Sequence, residues 1–171
     1  MASVSSFPPV ALRDAKVLIL GSMPGVASLE AQRYYAHPRN AFWPIMAQIL
    51  GFDAQLPYGE RLDALRRSGV ALWDVLARCV REGSLDSDIE ADSIEVNDFA
   101  GFLQRHPGVR AVFCNGGAAF QMFRRHVRPS LPLDGCGLPV RQMPSTSPAN
   151  AGMRFEQKLD VWREALQPWL R

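Results

Sequence analysis

Two short runs in this chain, the first of them apolar, end in residues able to do chemistry. Val17-Leu18-Ile19-Leu20 stops at Gly21-Ser22-Met23-Pro24-Gly25, and the aromatic stretch Tyr34-Tyr35-Ala36-His37-Pro38-Arg39-Asn40-Ala41-Phe42-Trp43 follows. Much later, Val140-Arg141-Gln142-Met143 stops at Pro144-Ser145-Thr146-Ser147-Pro148-Ala149-Asn150-Ala151. A strand that ends at small and rigid residues leaves backbone N–H groups open at a sheet's carboxyl edge, where open α/β folds bind ligands. Two such edges with aromatics beside them suit a planar ring that carries phosphate.

Regular elements must hold these loops. Residues 15–20 read as a short buried strand, and 70–73, 109–114 and 138–143 as three further strands. Phe42, Ile45, Met46, Ile49 and Leu50 keep helical spacing up to Gly51, and Leu62 and Leu65 mark a helix over 58–67. Asn97 suits the cap of a helix carrying Phe99, Phe102 and Leu103, and 118–127 reads as another helix. Phe155, Leu159, Trp162, Leu166 and Trp169 share one helical face, whereas the polar, acidic stretch 84–95 reads as a long loop. Strands alternating with helices imply parallel pairing, right-handed crossovers and helices on both sheet faces. The expected fold is α/β: one three-layer α/β/α sandwich over residues 1–171 around a mainly parallel four-stranded sheet. Each chemical loop then falls at the carboxyl end of a strand, which argues for one shared site.

Composition narrows the function classes. The 171 residues are 47% hydrophobic, enough for a real core, and no apolar run reaches a membrane-spanning length. No signal-peptide layout opens the chain, so the cytoplasm is the expected compartment. Cys79, Cys114 and Cys136 are odd in number and widely spaced, and His37, His106 and His126 add no ligand spacing, so neither disulfides nor a metal is expected. A net charge of +2 does not by itself argue for nucleic acid. Arg124, Arg125 and Arg128 cluster as cations suited to a solvated helix end, with a phosphate-facing rim as the alternative.

Taken together, the motifs resemble the uracil-DNA glycosylase superfamily over most of the chain, from Val17 to about Trp162. Gly21-Ser22-Met23-Pro24-Gly25 joined to Tyr35-Ala36-His37-Pro38 and Asn40-x-Phe42-Trp43 is similar to the mismatch-specific branch and closer still to the hypoxanthine-DNA glycosylases. Trp73-Asp74, Arg81-Glu82-Gly83-Ser84 and Ser145-Thr146-Ser147-Pro148-Ala149-Asn150-Ala151 also resemble that second group. Met23 stands where the mismatch-specific branch has a water-positioning Asn, and Met143 stands where the uracil-specific branch has a His. The resemblance implies that Asn40, from the His-Pro-x-Asn stretch, is the catalytic residue.

An amide cannot deprotonate water at neutral pH, but it can orient water against C1′ of a nucleoside. Donors aimed at the leaving base then carry much of the stabilisation, and the backbone N–H groups of Ser22 and Met23 are candidates. Tyr35 matches the aromatic that stacks on the extruded base. Asn115 and Asp74 are candidates for reading a base edge, Asp74 by accepting N1–H of an oxo-purine. Ser145, Thr146, Ser147, Pro148, Ala149 and Asn150 are candidates for DNA contact, the hydroxyls and amide on phosphate and Pro148-Ala149 as a wedge. Each has a structural alternative: a helix cap for Asn40 and Asp74, a half-buried ring for Tyr35, a turn residue for Asn115, and a cap of the last helix for the 145–150 loop.

The function expected is a monofunctional DNA glycosylase that removes deaminated bases, hypoxanthine before uracil or xanthine, in base excision repair. It would act as a monomer on DNA, with no cofactor and no membrane partner. A non-catalytic nucleic-acid binding module on the same fold competes with it, as does an enzyme acting on free nucleosides.

Overall fold

The computed structural model describes residues 3–131 and 137–170, so Cys136 falls outside them. Its centre is a parallel sheet built from β2 (Val17–Gly21), β3 (Val70–Asp74), β6 (Ala111–Asn115) and β7 (Val140–Met143), in the order β3-β2-β6-β7. Consecutive apolar residues form most of β2, β3 and β6 because both sheet faces are covered there, whereas the edge strand β7 leaves Arg141 and Gln142 exposed. Side chains alternate across the pleat, so Val17 and Ile19 enter one core while Leu18 and Leu20 enter the other.

On the first face lie α2 (Phe42–Leu50), α3 (Tyr58–Arg67) and α6 (Phe155–Leu166), which contribute Phe42, Ile45, Leu65 and Trp162. The second face is covered by α4 (Phe99–Arg105) and α5 (Gly117–Met122), through Phe99, Phe102, Ala119 and, just beyond α5, Phe123. The three layers are those expected. Gly51 ends α2 in the left-handed conformation at φ 78°, the geometry its expected role as a stop requires.

β2, β6 and β7 begin two residues later than expected, and β2, β3 and β6 end one residue later. Gly21, Asp74 and Asn115 thereby become the last residues of their strands. The helix expected over 118–127 is α-helical only to Met122 and widens into a π turn over Phe123–Val127. Trp169 leaves the last helix for a 3-10 turn over Gln167–Trp169. Asn97 is not the cap of α4. Asp98 is, accepting from Gly101 N at 3.0 Å, while Asn97 Nδ2 donates to the Asp74 carbonyl at 2.8 Å.

Two features escaped the sequence pattern. One is α1 (Val26–Ala31), a short helix directly after Pro24-Gly25. The other is a small antiparallel sheet of β1 (Ser3–Ser5), β4 (Leu76–Val80) and β5 (Glu95–Val96), in the order β1-β4-β5. The stretch read as one long loop therefore contains two 3-10 turns and a strand. Strands of two or three residues carry too few alternations to register as a period. Among the described residues no helix is long and apolar enough to cross a membrane.

Candidate active site

A cleft of about 780 Å³ opens at the carboxyl edge of the parallel sheet, and every candidate residue named from the sequence lines it: Ser22, Met23, Tyr35, Asn40, Asp74, Asn115 and the whole of 145–150. Parallel strands brought them together, since each loop leaves the sheet at the same edge.

Gly21 and Asp74 are register partners across β2 and β3. A Cβ on Gly21 would overlap Asp74 Oδ1 and stand 3.2 Å from the Tyr35 hydroxyl, so a side chain there would displace both groups. Asp74 is 3% exposed and its Oδ2 has no hydrogen-bond partner among the described residues. Burial first, then the charge of Asp86, raises its pKa to about 7, against the opposing pull of Arg81. Among the described residues the Tyr35 hydroxyl is likewise buried without a well-aligned hydrogen bond, and burial followed by the Asp74 charge pushes its pKa up against the opposing pull of the Asn115 side chain.

Tyr35 occupies the left-handed region at φ 55°, which costs a side-chain-bearing residue energy. Its neighbours hold it there: Tyr34 N donates to the Tyr58 hydroxyl at 2.9 Å and Ala36 N to Ser28 Oγ at 3.1 Å. One face of the ring is stacked on Phe42, with centroids 4.1 Å apart. Phe42 and Trp43 are core residues, at 0% and 4% exposure.

Asn40 precedes α2, and its Oδ1 accepts from Phe42 N at 2.9 Å. That bond satisfies one of the helix's free N–H groups, so Asn40 does part of a cap's work while lining the cleft. Ala41 N donates to Thr146 O at 2.9 Å, which ties this segment to the second loop. The Ser22 and Met23 backbone N–H groups donate to no other described residue, and the Met23 side chain is packed into the second core.

Asn115 is more committed than its sequence suggested. Its Nδ2 donates to Thr146 Oγ1 and its Oδ1 accepts from Thr146 N, each at 2.9 Å. Thr146 is 1% exposed, so its hydroxyl is turned to Asn115 rather than to solvent. The rest of the loop is braced internally by Ser145 Oγ and Ser147 Oγ, which accept from Ser147 N and Ala149 N. From α6, Trp162 Nε1 donates to Pro144 O at 3.0 Å and Lys158 Nζ to Ser147 O at 3.4 Å. The loop does not cap α6, whose N-cap is Arg154, with its N–H donating to Gln157 Oε1.

Residues 81–86 form a strap over the first loop, a role the sequence reading did not assign. Arg81 Nη2 donates to Pro24 O at 2.6 Å, Ser84 Oγ accepts from Val26 N at 2.8 Å, and Ser22 Oγ donates to Asp86 Oδ1 at 2.6 Å. Arg81 is 4% exposed, and its Nε and Nη1 have no hydrogen-bond partner among the described residues. The Arg81-Glu82-Gly83-Ser84 block was the available signal; Asp86 was hidden in an acidic stretch without period. Arg124, Arg125 and Arg128 do not line the cleft.

The uracil DNA glycosylase superfamily model matches residues 8–167. The chain belongs to that superfamily. A Methanosarcina acetivorans protein named hypoxanthine DNA glycosylase is 36% identical over 161 residues, covering 94% of this chain and 95% of its own length. Another of that name, from Methanosarcina barkeri (strain Fusaro), is 40% identical over 111 residues, covering 64% of this chain and 69% of its own. A solution NMR structure from Methanosarcina acetivorans, put forward as a uracil DNA glycosylase, superposes with a TM-score of 0.77 at 32% identity, covering 95% of this chain and 98% of that one. In this member of the superfamily, the cleft's lining puts the two orphaned polar groups, Asp74 Oδ2 and Tyr35 Oη, beside one glycine.

Proposed function

We propose that this DNA glycosylase releases hypoxanthine from DNA by hydrolysing its N-glycosidic bond, leaving an abasic site for base excision repair, with uracil and xanthine as lesser substrates. The observation that carries the reading is the pair of buried, unsatisfied groups at the end of β3 and before α2, Asp74 Oδ2 and Tyr35 Oη. A planar ligand that donates to one and accepts from the other would satisfy both. Hypoxanthine has this polarity, with N1–H facing a carboxylate and O6 facing a hydroxyl. Adenine shows the reverse at N1 and N6. A hydroxyl can accept from N6–H as well as donate to O6, so the mismatch lies at the ionised Asp74 facing the N1 lone pair, and leaving that one buried group unpaired would cost about 1–3 kcal/mol.

Chemistry follows from the same lining. The Asn40 amide orients water at C1′, with Oδ1 already fixed by Phe42 N. The open N–H groups of Ser22 and Met23 stabilise negative charge on the departing base, and DNA phosphates favour the oxocarbenium-like sugar. The 145–150 loop contacts the strand, with Thr146 setting its posture through Asn115. We place the enzyme in the cytoplasm, acting as a monomer on duplex or single-stranded DNA. The names of both curated relatives support the choice of base.

The test is a panel of oligonucleotides carrying hypoxanthine, uracil, xanthine or no lesion, scored for abasic sites under single turnover. Hypoxanthine should be released fastest and adenine not at all. Ready release of uracil with hypoxanthine untouched would make the proposed base wrong. Tight DNA binding without any release would favour the non-catalytic module.

A further inference from the structure

The segment from Tyr35 to Asn40 has a second side. Against it, between α2 and the start of α3, lies a smaller pocket of about 300 Å³ that shares Tyr35, His37 and Asn40 with the cleft. Its wall is aromatic and its rim is cationic. The Arg61 guanidinium carbon stands 4.9 Å from the Trp43 ring centroid and 5.5 Å from that of Tyr58, and Arg33 stands 5.5 Å from Tyr58. Neither arginine, nor the adjacent Glu60, takes part in an ion pair among the described residues. Arg61 spends one donor, Nε, on Leu56 O at 3.0 Å. Burial and then the Arg33 charge lower its pKa, against the opposing pull of Tyr58.

Two guanidinium groups held near one another on aromatic faces, with donors left over, form an arrangement that a bidentate anion completes. The fold aims it correctly. α3 runs back against β3, so Tyr58 and Arg61 at its start lie at the sheet edge where the cleft opens.

We propose that this pocket is a phosphate subsite that receives a backbone phosphodiester of the strand whose nucleotide enters the cleft. The subsite rests on the glycosylase reading for the identity of that strand. Its contribution is charge-assisted, so it weakens with salt, as counterion release requires.

Binding is measured by fluorescence anisotropy on a duplex carrying a tetrahydrofuran abasic analogue, which cannot turn over. Arg33→Gln and Arg61→Gln should each weaken binding roughly tenfold and flatten the log Kd against log salt slope by about 0.9. Arg124→Gln removes the same charge outside both pockets and should do neither; Arg61→Lys keeps the charge and should retain most of the slope. Thermal melting checks that each variant is folded. A neutral methylphosphonate placed at each phosphate flanking the lesion should, at one position, reproduce the Arg61→Gln loss and add nothing to it. Slopes equal to that of Arg124→Gln, or full additivity at every position, would overturn the subsite. Displacement of DNA by deoxynucleoside monophosphate in wild type but not in Arg61→Gln, at concentrations where inorganic phosphate at matched ionic strength does nothing, would mean that the pocket serves a free nucleotide, and would overturn the strand assignment. Failure of wild type to release hypoxanthine, with these slopes intact, would sink the glycosylase reading and leave the subsite standing.

Discussion

The two walls of the cleft solve opposite problems with similar side chains. Along the β2 and β3 ends, Tyr35 Oη, Asp74 Oδ2 and two nitrogens of Arg81 are buried without well-aligned partners among the described residues. Across from them, the 144–150 loop has its polar groups paired, through the two Asn115–Thr146 bonds, the Ser145 and Ser147 hydroxyls, and the Asn150 Nδ2 bond to Ser145 O at 3.1 Å. An orphaned buried polar atom costs about 1–3 kcal/mol. Such a cost persists where a ligand removes it, whereas a satisfied network gives rigidity. We therefore read the first wall as the one that chooses the base and the second as a preformed support for the strand.

The largest expected effect falls between the walls, at Asn40. Asn40→Ala should lower single-turnover hypoxanthine release by about 10²–10³ if its amide positions the water. It should also cost about 1 kcal/mol of stability, because Phe42 N loses its acceptor. Asn40→Asp keeps that acceptor and should regain the stability, so melting curves separate the two roles. Near-normal release by folded Asn40→Ala would remove it from the mechanism and leave only the cap.

Next comes Asp74→Asn, which tests the first wall directly. Hypoxanthine release should fall by about 10-fold to 100-fold, since the amide that replaces the carboxylate no longer offers a charged acceptor. Stability should move the other way. Asp74 has a folded pKa of about 7, above the ordinary carboxylate value. Between those two values the unfolded chain has lost its proton while the folded one keeps it, so stability falls as pH rises and the loss is complete above about 7. Asp74→Asn should abolish that slope between pH 4 and 7, and should be the more stable protein at pH 8. In wild type, tighter reading of N1–H should appear as pH rises through 7 and the carboxylate ionises. A variant as active as wild type, with the same stability profile, would erase the contrast between the walls.

The contrast also explains what could be read in advance. The parallel sheet and its order of elements were legible because strand-like runs ending at Gly21, Asn115-Gly116 and Pro144 carry their own boundaries. Sheet topology then placed Asn40, Asp74 and Asn115 around one cleft. The strap was not legible: Arg81 and Asp86 act through the Pro24 carbonyl and the Ser22 hydroxyl, contacts between segments about 60 residues apart that no local period encodes. Nor could the sequence say that Asn115 would face Thr146. An amide at a strand end is equally suited to a base or to a backbone, and only the approach of β7 beside β6 decides.

Asn115→Ala sharpens the reading of the second wall. It strands the buried Thr146 N–H and hydroxyl, so stability should fall by about 1–3 kcal/mol in thermal or urea unfolding. Activity should drop with it through a loosened loop, and weakened DNA binding should account for most of that drop. If choice between hypoxanthine and adenine relaxes while stability holds, Asn115 reads the base and belongs to the first wall.

The smallest effect is expected at Ser147→Ala. Its hydroxyl accepts from Ala149 N at 3.1 Å, an exposed bond inside a loop that Asn150 and α6 also brace. Removing one neutral acceptor from such a network should cost no more than about 0.5–1.5 kcal/mol, so melting should shift by a few degrees at most. Affinity for lesion duplex should weaken a few-fold, because the hydroxyl is also a short donor suited to a phosphate oxygen. Since no charge is lost, the salt slope should stay that of wild type, unlike the slopes of Arg33→Gln and Arg61→Gln. An unchanged affinity would confine the loop to scaffolding. A loss as large as that of Asp74→Asn would mean that the satisfied wall, rather than the orphaned one, carries recognition.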